Sequence, residues 1–401
     1  MVHYAVRRGA VVPRRFEVFL TNPSGRLLHS LCLNSSRHWM RVRREHGPID
    51  RNCYDRAAAI TFLSLLTSPL RAAESILYGS RIRSESLTQP PVFILGHWRT
   101  GTTYLHTLLA QDPSLGFVPL FQTLAPASFF TGRRTLQPLV ALRAPKTRPM
   151  DEVPIHMEVA QEEEFAMAGL ARQSFYLGFT FPKSMDTLFQ KYVMFDNLSP
   201  DERAEWERSY LYLLKTASLH NGGKRLVIKN PVNTARIPAL LQLFPDAKFI
   251  HIHRDPFEVY RSTLHLYRAV IQLLSLQGLE EDKNQRRVLE FYRKMMTRYM
   301  DDRDRIPSGN LTEVAYDDLV ANPLETIEGV YSELGLPGWE EARTGIAEHV
   351  LAQRSYRPKQ HTLSPDDIAA VEEQWGFALR EWDYQAPVSE EVAAAGAVSD
   401  Q

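Results

Sequence analysis

The residues best suited to chemistry lie in a few short groups. The first is His97-Trp98-Arg99-Thr100-Gly101-Thr102-Thr103. It follows an apolar run, Pro91 to Leu95, that has the pattern of a buried parallel strand. Leu105, Leu108 and Leu109 then repeat at helical spacing until Asp112-Pro113. Strand, glycine turn and helix together aim backbone N–H groups at an anion, and the helix dipole adds to the attraction. Gly96 and Gly101 keep the separation of the two glycines in the G-x-x-x-x-G-K-[ST] phosphate loop, but Thr102 stands where that loop has lysine. Arg99 is the one cation of the turn. A phosphate cradle without the lysine argues for chemistry other than ATP hydrolysis, which uses that lysine on the terminal phosphates. The alternative is an ordinary glycine turn entering a helix.

The second group is Phe249-Ile-His-Ile-His-Arg254-Asp-Pro-Phe-Glu-Val-Tyr-Arg-Ser262. A strand delivers Arg254 to its tip, and a helix from about Pro256 returns Ser262 two turns later. Arginine and hydroxyl thereby converge on one small anion. A salt-bridging arginine at a strand end is the plainer reading, and Asp255 as a magnesium carboxylate is a third. Lys229 ends the strand Arg225 to Lys229, where open α/β sheets place ligands. A helix spanning Gln161 to Leu170 carries Glu162, Glu163 and Glu164. On a helix these point in directions about 100° apart, so at most one or two face a cleft. Glutamates also suit a solvated helix N-terminus.

Trp98-Arg-Thr-Gly-Thr-Thr103 resembles the 5′-phosphosulfate loop of sulfotransferases that use 3′-phosphoadenosine 5′-phosphosulfate (PAPS), with Arg99 where many members have lysine. Arg254 and Ser262 resemble that family's 3′-phosphate motif, with the same spacing. Tyr316-Asp-Asp-Leu319 and Leu334-Gly-Leu-Pro337 resemble its next landmarks and read as structural. The resemblance spans Pro91 to about Tyr267, with weaker echoes to His361. It implies that His97, Trp98, Arg99, Thr100, Gly101, Thr102 and Thr103 hold the 5′-phosphate end of PAPS. It further implies that Arg254 and Ser262 hold the 3′-phosphate, and that Lys229 steadies the bridging oxygen. A basic C-terminal loop closes over the cofactor in this family, and Arg357 and Lys359 are the matching cations here; a solvated loop is the other reading. In the cytosolic branch the lysine strand continues as Lys-Thr-His, and the histidine is the base. Here Asn230 and Pro231 follow Lys229, so the base comes from elsewhere. Bacterial members carry a similar acidic pair before an apolar helix, which selects Glu163 and then Glu162, ahead of His156 and His97.

The expected fold is α/β, three-layered, with a central parallel sheet of the P-loop nucleotide-binding type and a helical N-terminal extension. Short loops between successive strands and helices argue for right-handed crossovers. The expected divisions are a basic, helical extension over 1–88, the sulfotransferase domain over 89–385, and a disordered tail over 386–401. The length of 401 residues suits that plan. With 47 basic and 47 acidic residues, no global field favours nucleic acid. Two cysteines, Cys32 and Cys53, point to a reducing, cytoplasmic setting. No zinc signature occurs, and the expected reaction requires no metal. Arg7, Arg8, Arg14, Arg15, Arg37, Arg41, Arg43 and Arg44 make the N-terminal region basic, and Ala57 to Leu66 is too short to span a bilayer. That region reads either as packed helices or as a surface in peripheral contact with membrane lipid. Aromatic residues in Phe175-Tyr-Leu-Gly-Phe-Thr-Phe181 suggest an apolar pocket or lid, hence a small apolar or lipid-like acceptor. Phe121, Phe129 and Phe130 read as pocket lining or as core. Two other classes fit parts of the pattern: a P-loop kinase or NTPase with an atypical loop, and a non-catalytic relative that binds an adenine bisphosphate.

Overall fold

A computed structural model describes residues 29, 31–142, 156–278, 281–352 and 363–387, without the side chains of 281 and 282. Arg357, Lys359, the N-terminal arginines up to Arg15 and the tail 388–401 lie outside the described residues. Five parallel strands form one sheet in the order β2-β3-β1-β4-β5. They are β1 (Val92–Leu95), β2 (Leu115–Gly116), β3 (Arg225–Lys229), β4 (Lys248–His253) and β5 (Leu311–Ala315). Val92 of β1 is in register with Val227 of β3 on one side and with Lys248 of β4 on the other. All four residues of β1 are buried, as its unbroken apolar run requires of a central parallel strand.

Alternation along the strands feeds two separate apolar layers. Val92, Ile94, Ile250 and Ile252 pack against the helices Thr102–Leu109, Pro323–Leu334 and Trp339–Ala352. Phe93, Leu95, Ile228 and Phe249 face the opposite, larger layer. That layer includes Trp206 and Tyr210 of the helix Pro200–His220 and Tyr292 and Met295 of the helix Glu281–Asp302. Pro200–His220 is capped at its start. Ser199 and Glu202 form a reciprocal capping box there, with Pro200 in the first turn.

The helices before β1 have no core of their own. Trp39, Val42 and Ile60 belong to the same buried cluster as Phe93 and Phe249. Trp39 Nε1 donates to Thr61 Oγ1 at 2.8 Å, and His38 Nε2 lies 2.8 Å from the Ala168 carbonyl oxygen. The aromatic run does not form a lid. Phe175, Phe179 and Phe181 are core residues, as are Phe121 and Phe129, while Phe130 stacks on Tyr78. The expectation of a pocket there is corrected, because these rings fill space between helices.

β1 lies between β3 and β4. The chain leaves β1 toward one edge, returns as β3, and crosses to β4 on the other side. Strand order reverses at β1, and a crevice opens beyond the carboxyl ends of the strands at such a point. The turn 96–101, Lys229 and Arg254 stand at those three ends.

Candidate functional site

The turn after β1 is held in a conformation that only its sequence permits. Gly96 has φ +142° and Gly101 has φ +101°. A Cβ at Gly101 would meet the Tyr316 ring at 2.3 Å, and one at Gly96 would meet the Ile252 carbonyl oxygen at 2.6 Å. Arg99 also lies at positive φ, +73°, a conformation that costs a non-glycine residue and recurs at functional sites. Thr234 supports the turn from below. Its hydroxyl accepts from Gly96 N–H at 2.8 Å and donates to Gly96 O at 3.1 Å. No side chain caps the helix that begins at Thr102, so its first amides face the crevice ready for an anion.

The cations gather around this turn. Arg99 Nε donates to Ser262 Oγ at 2.7 Å. Arg254 Nη1 donates to the Arg99 carbonyl oxygen at 3.3 Å, and its guanidinium lies over the Tyr316 ring, 4.4 Å from the centroid. The two expected anion grips therefore adjoin. Asp255 caps the following helix, accepting from Phe257 N–H at 2.8 Å. Lys229 Nζ donates to Thr103 Oγ1 at 3.2 Å and forms an ion pair with Glu162. Trp98 and His97 are buried. Trp98 Nε1 donates to the Tyr176 hydroxyl at 3.1 Å. His97 packs edge-on against Trp98 and Tyr292, and burial lowers its pKa to about 3.

The three glutamates go three ways. Glu162 is extended, φ −70° and ψ 122°, as the cap before the helix Glu163–Leu170. It meets Lys229 through one carboxylate oxygen and accepts from the Tyr176 hydroxyl through the other. Glu164 is fully buried, with Arg236 Nη1 at 2.9 Å and Asn230 Nδ2 at 2.9 Å. Glu163 is fully buried too, accepting from Tyr210 OH at 3.1 Å and Asn233 Nδ2 at 2.7 Å. The sequence pattern ranked Glu163 above Glu162 as base, but Glu162 is the one beside Lys229.

Burial raises the Glu163 pKa from its ordinary 4.5 to about 7, and the adjacent Glu164 adds to the rise. Between those values the folded carboxyl keeps its proton while the unfolded chain releases it. Stability therefore falls as pH rises through that window, by a penalty of about 3 kcal/mol that is complete above it. Glu163→Gln removes the titration and keeps an acceptor for Tyr210 and Asn233. Its melting temperature is expected to exceed the parent's by several degrees at about pH 8, with the gap closing at about pH 4. A variant equally destabilised at both values sinks this account.

The family pattern for the Sulfotransferase family matches residues 90–341. The chain belongs to the sulfotransferase family. Omega-hydroxy-beta-dihydromenaquinone-9 sulfotransferase Stf3 of Mycobacterium tuberculosis is 30% identical over 347 residues, 86% of this chain and 89% of its own length. Its counterpart in Mycobacterium bovis matches equally. Among solved structures, sulfotransferase STF9 from Mycobacterium avium superposes with a TM-score of 0.63 at 19% identity, covering 88% of this chain and 97% of that one. Sulfotransferase STF1 from Mycobacterium tuberculosis gives a TM-score of 0.58 at 17% identity, covering 92% and 100%. These two share the fold.

For a sulfotransferase, several side chains around the turn carried little signal in the sequence. Tyr176 sits in an aromatic run that reads as an apolar pocket or lid, yet its hydroxyl links Trp98 to Glu162. Thr234 and Asn233 lie in the short helical turn Pro231–Ala235, reached only because Pro231 follows Lys229 and Asn230. Tyr316 reads as structural, and here its ring lies between Gly101 and Arg254. Arg236 has no motif around it and shows its role only through the buried pair with Glu164.

Proposed function

We propose that this sulfotransferase moves the sulfuryl group of PAPS to a hydroxyl on an apolar, lipid-like acceptor. The observation that supports this most is the contact of Arg99 with Ser262, backed by Arg254 on the Arg99 carbonyl. Two anion grips with a common wall suit the two phosphate-bearing ends of one nucleotide. Arg99, Thr102, Thr103 and the loop amides hold the 5′-phosphosulfate, while Arg254 and Ser262 hold the 3′-phosphate. Arg357 and Lys359 remain proposed closing cations.

In the transfer, the acceptor oxygen attacks sulfur in line as the bond from sulfur to the 5′-phosphate oxygen breaks. Most of the catalysis is positioning and charge stabilisation. Glu162 takes the acceptor proton. Lys229 passes from Glu162 to the oxygen on which charge builds. Tyr176 is the positioning residue behind Glu162. Burial, with the Glu162 charge beside it, holds the Tyr176 hydroxyl well above its usual pKa, so it stays a donor. The acceptor class rests on the relative named for a hydroxylated menaquinone. No step is assigned to a metal ion.

The test is transfer of radiolabelled sulfur from PAPS to a long-chain prenyl alcohol, in the presence of a chelator. Labelled lipid and adenosine 3′,5′-bisphosphate are expected as products. Magnesium-dependent ATP turnover in place of transfer would instead support the kinase reading. Tight bisphosphate binding without transfer to any alcohol would leave a non-catalytic relative.

A further inference from the structure

The helices Tyr54–Leu66 and Ser68–Leu77 carry an apolar face that no described residue covers. Phe62, Leu65, Leu66, Ile76 and Leu77 are each 56–80% exposed. Only Thr67 separates the helices, and Leu70 N–H donates back to its carbonyl at 3.2 Å, so the two faces follow directly. Ala58, Phe62 and Leu65 fall at helical spacing on the first, and Pro69, Ala72 and Ile76 on the second. A contiguous exposed group of this kind marks an interaction site, unlike apolar residues scattered singly.

The charges near it are arranged to suit one kind of partner. Between Ala57 and Ser80 the only charged residues are Arg71 and Glu74, and both turn inward. Arg71 donates to the Ser64 carbonyl and, at 2.7 Å, to Thr67 Oγ1. Glu74 is buried and accepts from Phe130 N–H at 3.1 Å and Thr131 N–H at 2.8 Å. The outer face is left without charge along its length. Exposed arginines stand at both ends: Arg51 before Tyr54, and Arg81 and Arg83 just past Leu77. Asp50, paired with Lys183 at 3.3 Å, and Asp55 are the acidic neighbours at the first end, and Glu85 at the other is bonded by the Ser218 hydroxyl at 2.7 Å. An apolar stripe with cationic ends is the pattern of a helix lying in the headgroup region of an anionic bilayer. Among the described residues no helix is long and apolar enough to cross one.

We propose that this face seats the enzyme on an anionic phospholipid bilayer, from which a lipid acceptor is drawn. The second clause rests on the reading of the acceptor above; the first does not. The test is flotation of the full chain with phosphatidylcholine vesicles, with and without phosphatidylglycerol. Flotation with the anionic vesicles is expected, weakened by salt. The triple variant Phe62→Ser, Leu65→Ser, Ile76→Ser should lose vesicle binding at least about tenfold. Its melting curve and its transfer to a short, water-soluble alcohol should match the parent's. Arg81→Ala and Arg83→Ala should each weaken binding about fivefold, on anionic vesicles only. A parent chain that stays with the soluble fraction, or a triple variant that floats as well as the parent, overturns the proposal. So does a dimer by light scattering that the triple variant breaks, which would make the occupant a second copy. If no variant transfers sulfur to any alcohol yet flotation behaves as stated, the reading of the site fails and the surface stands.

Discussion

Replacing Arg99 or Arg254 with alanine is expected to reduce sulfuryl transfer from PAPS by about a thousandfold while leaving the melting curve almost unchanged. In the proposed site each side chain supplies a fixed charge to the bound nucleotide, and losing one such group costs on the order of a hundred- to a thousandfold. The two losses should differ in kind. Arg254 grips a phosphate that keeps its charge throughout, so its removal appears in KM for the donor and in weaker adenosine 3′,5′-bisphosphate binding. Arg99 lies at the turn that holds the leaving end, so its removal appears chiefly in kcat. Alanine is no worse than arginine at the positive φ of position 99, and no buried partner is orphaned at position 254, where the side chain is partly exposed. Initial rates and calorimetric titration of the bisphosphate measure both. Full activity in either folded variant rejects the donor assignment.

Glu162→Gln should lower kcat by roughly a hundred- to ten-thousandfold, the range for a lost general base, with donor binding changed severalfold at most. Glutamine still accepts from Tyr176, but the ammonium of Lys229, 1% exposed, loses its counter-charge. Some stability should go with it, up to about 3–5 kcal/mol for an uncompensated buried charge. The melting curve must therefore be measured beside the rate. Glu163→Gln serves as the contrast and should keep turnover. Tyr176→Phe removes a donor to Glu162, and a carboxylate that loses a hydrogen bond becomes easier to protonate. The acid limb of its kcat/KM profile should move to higher pH, a shift that a purely structural role would not produce. Wild-type turnover in Glu162→Gln places the base elsewhere.

The parts of this site carried on strand tips were legible in the sequence because local rules fix them. Val92–Leu95 is an unbroken apolar run, Arg225–Lys229 and Lys248–His253 are short β-branched and aromatic segments with polar ends, all three are closed by turns, and the two glycines state where the backbone turns sharply. The division of labour among the glutamates was not legible. A helix drawn from Gln161 puts Glu162 inside the first turn, whereas the extended backbone there swings its carboxylate toward Lys229. That choice depends on Tyr176 and Lys229, which are distant in sequence. The two-residue β2 is too short to leave a pattern. The aromatic run at 175–181 has no feature of its own that separates core from pocket, since either would favour the same rings.

On the proposed assignment, the proton acceptor and the nucleotide clamps come from different stretches of chain. The turn after β1, the tip of β3 and the span from Arg254 to Ser262 hold the clamps. Glu162 and Tyr176 arrive on the long excursion between β2 and β3. A chimera exchanging that excursion alone would replace the proposed base while retaining the proposed grip on the donor. On this plan, the proton-accepting group can be changed by rewriting one insert and leaving the sheet alone.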